Sequence, residues 1–117
     1  ALGDCLAKVL RGQNAILVAS TDLSHFYPQE VAAALDAEVL RQVEAFDPEG
    51  VLRVEEEGKG FACGRGALAA TMWAAKGLGA DTARILHYAT SGNVTGDYSQ
   101  VVGYAAAVFT RSKPQHL

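Results

Sequence analysis

The run from Ala15 to Pro28, Ala-Ile-Leu-Val-Ala-Ser-Thr-Asp-Leu-Ser-His-Phe-Tyr-Pro, constrains this chain more than any other part of it. A continuous apolar stretch from Ala15 to Thr21 is the pattern of a strand covered on both faces, as in the interior of a parallel sheet. Pro28 suits the first position of a following helix. Asp22, Ser24 and His25 lie between the two. Open α/β sheets bind ligands beyond the carboxyl ends of their strands, so a carboxylate, a hydroxyl and an imidazole at this junction are placed to meet a small molecule or a metal.

The remaining elements follow from apolar spacing. Leu2, Leu6, Val9 and Leu10 recur at helical intervals and Gly12 is a natural stop. The helix after Pro28 is expected to run to about Phe46, with Val31, Leu35, Val39, Val43 and Phe46 as its core stripe and Asp36 one residue past Leu35. Asp47-Pro48-Glu49 repeats the chemistry of a helix start for a short segment, and Glu55 to Gly60 reads as a charged, flexible surface loop. Cys63-Gly64-Arg65-Gly66 opens another helix through about Lys76, whose Leu68, Met72 and Ala75 face the core, with Gly77 and Gly79 closing it. Arg84–Ser91 and Val101–Thr110 read as strands, and the residues between them are too few for a crossover helix, so the two should pair antiparallel. The expectation is an α/β fold with a three-layer mixed sheet flanked by helices. Three strands and three main helices cannot cover both sheet faces and close both edges, so this is expected to be an incomplete portion of the full fold, finished by a missing segment or another chain. The start at Ala1, inside a helical pattern and without methionine, points to a fragment. Residues 1–117 are accordingly a single domain or the carboxyl-terminal portion of a larger one.

Composition removes several classes. The formal charge is −3, with basic residues scattered singly, which leaves no positive stripe for a phosphate backbone and argues against nucleic acid. No apolar run approaches the roughly 20 residues of a membrane span, and the first residues lack a signal peptide's pattern. Cys5 and Cys63 form neither a disulfide framework nor a C-x-x-C zinc pair. Reduced thiols in a cytoplasmic protein are expected.

Asp22-Leu-Ser-His25 offers a base, an orienting carboxylate and a hydroxyl within one bend. The positive end of the following helix biases His25 toward neutral imidazole, which accepts a proton or ligates a metal, and Asp22 can fix its tautomer. Alternatively, Asp22 binds its own turn's backbone and His25 is a satisfied, half-buried residue. Cys63 precedes a helix N-terminus beside Arg65, a setting that favours thiolate. The helix end supplies only about 1 kcal/mol, so a metal or second cation is needed for a large effect. The other reading of Cys63, and the one adopted for Cys5, is a small buried hydrophobe. Ala69 stands where a cysteine phosphatase would place its arginine, and no P-loop lysine follows Gly66. His87 alternates with Ile85 and Ala89 and is expected to pack or hydrogen-bond rather than ligate, His116 belongs to a tail, and Gly92–Asp97 either lines the same crevice or, the reading adopted, connects the hairpin. With His25 and Cys63 as the convergent donors, this chain cannot complete a three-ligand catalytic metal site by itself.

In order along the chain, Ala19-Ser-Thr-Asp-Leu-Ser-His25, Phe61-Ala-Cys-Gly-Arg-Gly66, Leu86-His-Tyr-Ala-Thr-Ser-Gly92 and Val101-Val-Gly-Tyr104 resemble the carboxyl-terminal half of the Memo family. The match covers nearly the whole chain. That family is similar in fold to the class III extradiol dioxygenases. The resemblance implies that His25 takes the place of those enzymes' catalytic histidine. It also implies that Cys63 is a metal ligand where the dioxygenases use a carboxylate, and that Asp22 lines the same pocket. Members are considerably longer, and two histidine ligands come from the other half, so iron or copper would bind only with ligands from outside this segment. Thiolate in place of carboxylate softens the ligand set and shifts preference toward copper or thiolate-tolerant iron. Two functions follow: a metal-dependent redox or dioxygenase-like enzyme acting on a small molecule, with His25 and Asp22 as catalytic residues, or a non-catalytic module that docks phosphopeptides in the same cleft. A scaffold that keeps the pocket without using it is a third.

Overall fold

A computed structural model describes residues 1–112. The chain adopts an α/β fold, as expected. In order it forms α1 (Leu2–Leu10), β1 (His25–Tyr27), α2 (Gln29–Glu44), α3 (Pro48–Glu56), α4 (Arg65–Gly77), β2 (Thr82–Thr90), α5 (Gly92–Thr95) and β3 (Val101–Thr110). The strands make one open sheet in the order β1-β3-β2, and each pairing is antiparallel. The β2–β3 hairpin was legible in the sequence; its ladder runs from Thr82 opposite Thr110 to Thr90 opposite Gly103. His116 lies outside the described residues.

The expected interior strand is not formed. Ala15–Thr21 forms no regular element and pairs with no strand, and Ile16 and Val18 are 90% and 77% exposed. A strand needs a neighbour for its N–H and C=O groups, and the described residues bring none to this run. An open groove of about 810 Å³ separates the run from β3; Ile16, Val18, Val43, Leu68 and Phe109 are among its walls. The sheet among the described residues is therefore antiparallel rather than mixed.

The core lies between α2, α3, α4 and the sheet. Val39, Val43, Phe46, Val51, Val54, Leu68 and Met72 form it, with Ile85, Tyr88 and Phe109 packed against it from the strands. The opposite sheet face leaves Leu86 and Tyr104 exposed. The α4 stripe is as read: Leu68 and Met72 are buried and Ala75 packs beside them.

Two other helices turn differently from their apolar pattern. On α1 the buried residues are Gly3 and Ala7, not Leu2 and Val9, because α1 packs closely on α4. A Cβ on Gly3 would come within 2.5 Å of Trp73 Cβ, so only the smallest residue permits this approach. Cys5 is exposed on the same helix, not a buried hydrophobe. On α2 the buried positions include Ala32 and Asp36, whereas Val31 is exposed. The helix buries a carboxylate there because two hydrogen-bond donors meet it, described below.

Of the stretch expected as loop, Glu55 and Glu56 belong to the end of α3, and Glu57 to Gly60 forms the loop. Asp47 caps α3 by accepting from the Gly50 amide at 2.9 Å, and Gly60 is buried against Leu35, Val39 and Val54. No helix among the described residues is long and apolar enough to cross a membrane.

Candidate functional site

The segment from Thr21 to His25 is fastened from three directions. Toward α4, the Asp22 carbonyl accepts from the Cys63 amide at 3.2 Å and the Asp22 amide donates to Cys63 Sγ at 3.3 Å. The Gly64 amide donates to Thr21 Oγ1 at 2.7 Å. A Cβ on Gly64 would sit 2.9 Å from the Ser20 carbonyl oxygen and from Thr21 Cβ, so the loop can close on the turn only with glycine there. Toward β3, the Leu23 amide donates to the Gly103 carbonyl at 2.9 Å and the Gly103 amide to the Ser24 carbonyl at 3.0 Å. Toward α2, the Ser24 amide donates to Asp36 Oδ1 at 2.8 Å.

His25 leaves this clasp at the start of β1. The ladder to β3 is irregular there: His25 lies opposite Val102 and Tyr27 opposite Val101, so Phe26 is the extra residue. Phe26 has φ of 66° and is 71% exposed. A bulky side chain in the left-handed region is uncommon, and such strain persists where surrounding structure over-determines it. Bulges re-aim side chains. Here His25 and Phe26 both face solvent, their ring centroids 5.7 Å apart.

The three candidate residues come together. Asp22 touches Cys63 Sγ through its amide, and its Oδ2 lies 3.5 Å from His25 Nε2. The carboxylate–imidazole separation is too long for a strong hydrogen bond. Both side chains are roughly half exposed, at 47% and 40%, and Cys63 is exposed as well, so all three are open to a ligand. The large apolar groove is a different place. Thr21 and Leu23 are walls of it, but Asp22, His25 and Cys63 are not.

The Cys63 thiol is held below its usual pKa, first by the Thr21 hydroxyl and next by the Asp22 amide, against opposing effects of burial and the Asp22 carboxylate. Thr21 Oγ1 stands 3.5 Å from Sγ and 2.8 Å from the Asp22 carbonyl oxygen. Its single proton cannot serve both; once the sulfur is ionised, donation to thiolate is the stronger, charge-assisted bond. The helix N-terminus is where the sequence put it, with Gly64 preceding Arg65. The cation is not used as expected: Arg65 Nη1 lies 2.6 Å from Glu55 Oε2 in an ion pair.

Thr21 and Asp36 were missed by the sequence reading. Thr21 carries a weak signal, a hydroxyl beside the acid in the same turn; Asp36 carries a better one, an acid beside the apolar stripe of an amphipathic helix. His87 is exposed at the point where the β2–β3 register shifts, rather than packed. Gly92–Asp97 is a connector, with α5 fixed by Asn93 accepting from the Thr90 amide at 2.8 Å.

A family model described as Memo-like protein matches residues 1–108. A MEMO1 family protein of Methanopyrus kandleri is 46% identical over 99 residues, covering 85% of this chain and 35% of that protein. One of Methanothermobacter thermautotrophicus is 43% identical over 106 residues, covering 89% and 38%. Another, of Nitrosopumilus maritimus, is 38% identical over 108 residues, covering 92% and 39%. The chain therefore spans little more than a third of the length of these curated relatives. The clasped turn, the cysteine loop and all but the last two residues of the hairpin fall within the matched residues, and the chain belongs to the Memo-like family.

Proposed function

We propose that this site serves a metal-dependent redox or dioxygenase-like enzyme acting on a small molecule. The observation that carries the reading is the double reach of Asp22, whose amide meets Cys63 Sγ at 3.3 Å while its carboxylate lies 3.5 Å from His25 Nε2. In this reading His25 moves a proton at the substrate, Asp22 orients the imidazole, and Cys63 is a metal ligand. The residues present fit one corner of a metal site. A thiol eased toward thiolate is a suitable soft donor. However, no group of three or more histidine, cysteine or acidic side chains able to hold an ion exists among the described residues. The further ligands would come from outside this segment. When bound, iron or copper supplies redox and Lewis-acid chemistry, and a thiolate ligand suits it to copper or thiolate-tolerant iron.

The same reading gives the exposed run Ala15–Thr21 and the groove beside β3 to the missing amino-terminal half or to another chain, which would pair the run and cover Ile16 and Val18. Both cysteines are free, as suits a cytoplasmic location. Phosphopeptide docking, the alternative, has less support. Phosphate recognition draws on clustered arginines, whereas Arg65 is taken up by Glu55 and a carboxylate stands beside His25.

The test is metal content and oxygen consumption of the intact protein as isolated. Bound iron or copper, lost on Cys63→Ser, together with oxygen uptake that falls on His25→Gln, supports the enzyme. Tight phosphopeptide binding indifferent to chelator, in a protein without redox metal, would replace it with the docking module.

A further inference from the structure

We propose that Asp36 is the positioning residue of the Asp22–His25 pair, acting through the backbone of Ser24. Asp36 is fully buried on α2. A buried carboxylate is tolerated only when its oxygens find donors, and here each oxygen has one. Oδ1 accepts from the Ser24 amide at 2.8 Å and Oδ2 from the Tyr88 hydroxyl at 2.6 Å. Those donors come from different places. Tyr88 belongs to the sheet, whereas Ser24 lies in the turn between Asp22 and His25.

The Ser24 side chain does not explain the arrangement. Its Oγ is buried and has no hydrogen-bond partner among the described residues. It is the peptide group of Ser24 that is held, and with it the path of the chain into His25. Gly103 completes the clasp on the other side by bonding the Leu23 amide and the Ser24 carbonyl. The space for Asp36 exists because position 103 is glycine: a Cβ there would lie 1.9 Å from Asp36 Oδ2. Asp36 and Gly103 thus form a matched pair that holds the Leu23–Ser24 dipeptide, and through it both neighbours that face the site. The strained φ of Phe26, immediately after His25, is what a turn fixed by outside contacts would show.

This inference rests on the reading that His25 works at the site, but it is tested without metal or substrate, so it can fail while that reading stands, and the reverse. The readout is the Cε1–H signal of His25 in the intact protein labelled at histidine, assigned by its absence in His25→Gln, with thermal melting followed alongside. Tyr88→Phe removes one of the two bonds to Asp36 but leaves the Ser24 anchor; the melting temperature should fall while the His25 signal stays in place. Asp36→Ala should move the signal toward its position in the urea-unfolded chain. Should Asp36→Ala not fold, Asp36→Leu with Tyr88→Phe replaces both members of the buried pair by apolar groups of similar shape, which is far better tolerated. It isolates the loss of the Ser24 anchor. A displaced His25 signal in that double variant, against an unmoved one in Tyr88→Phe, supports the proposal. A folded Asp36 variant with the wild-type His25 signal, or Tyr88→Phe moving it equally, overturns it.

Discussion

Gly103→Ala is the sharpest small perturbation the structure offers. The added methyl carbon would sit 1.9 Å from Asp36 Oδ2 and 2.7 Å from its Cγ, and this carboxylate is fully buried with no free rotation into solvent. To restore an ordinary contact the carboxylate, or β3 itself, must give by more than about 1 Å, far beyond what a close-packed interior absorbs without loss. Oδ2 is the atom that accepts from Tyr88 at 2.6 Å, and a movement of that size breaks the bond. A hydrogen bond to a charged group contributes about 1.5–3 kcal/mol, and if the carboxylate also swings away from the Ser24 amide the loss doubles to roughly 3–6 kcal/mol. Urea unfolding of the intact protein, followed by tryptophan fluorescence, should show a midpoint lower by at least about 0.5 M, and by at least about 1 M if both bonds are lost, given slopes of about 1–3 kcal/mol per molar. Gly66→Ala is the matched control. It lies within α4, nothing stands within 4 Å of the place its methyl group would take, and alanine there should be neutral or stabilising by up to about 1 kcal/mol. If Gly103→Ala unfolds within about 0.5 kcal/mol of wild type, the ordinary scatter of surface substitutions, the idea of Asp36 wedged against a bare glycine is wrong.

Three further outcomes follow from particular contacts. In a Cys5→Ser background, Thr21→Val removes the first cause of the lowered Cys63 pKa, so the pH midpoint for alkylation by iodoacetamide should rise; an unchanged midpoint would discount the hydroxyl. Burial, and then the hydrogen bond to Asp36, push the Tyr88 pKa up, so the folded state holds this proton more tightly than the unfolded chain. Its contribution is fully present below the unfolded value of about 10 and is lost as pH rises beyond it. Melting temperatures between about pH 9 and 11 should therefore fall less steeply in Tyr88→Phe than in wild type, and parallel curves would remove Tyr88 from the account. Asp47→Ala deletes the α3 cap and should cost about 1 kcal/mol in urea unfolding; no loss would mean that burial of Pro48, Val51 and Val54 holds the helix without it.

The parts of this fold that local chemistry dictates were readable in the chain. Pro28 before α2, Asp47-Pro48 before α3, the glycines around α4 and the alternating strands of the hairpin each leave a mark that does not depend on distant residues. What was not readable depends on contacts between elements. The buried face of α1 is set by how closely it approaches α4, so Gly3 and Ala7 go inward while larger Leu2 and Val9 stay out. The face of α2 is set in part by Ser24 and Tyr88, which reward a carboxylate at 36 that hydrophobicity alone would place outside. Ala15–Thr21 carries the composition of an interior strand, yet a strand is a relation between segments, and none among the described residues pairs with it. At the site, Asp22, His25 and Cys63 were picked out by their placement at a strand end and a helix start. Arg65 was credited with an electrostatic role that geometry gives to Thr21, because a charged side chain long enough to reach Glu55 is not bound to its sequence neighbour.

The most direct test of the metal reading is X-ray absorption at the metal edge of the intact protein loaded with copper or iron. A sulfur scatterer at about 2.3 Å, the range of metal–thiolate bonds, is expected, and it should disappear in Cys63→Ser and persist in Cys5→Ser. A first shell of nitrogen and oxygen alone in the unaltered protein would contradict that reading.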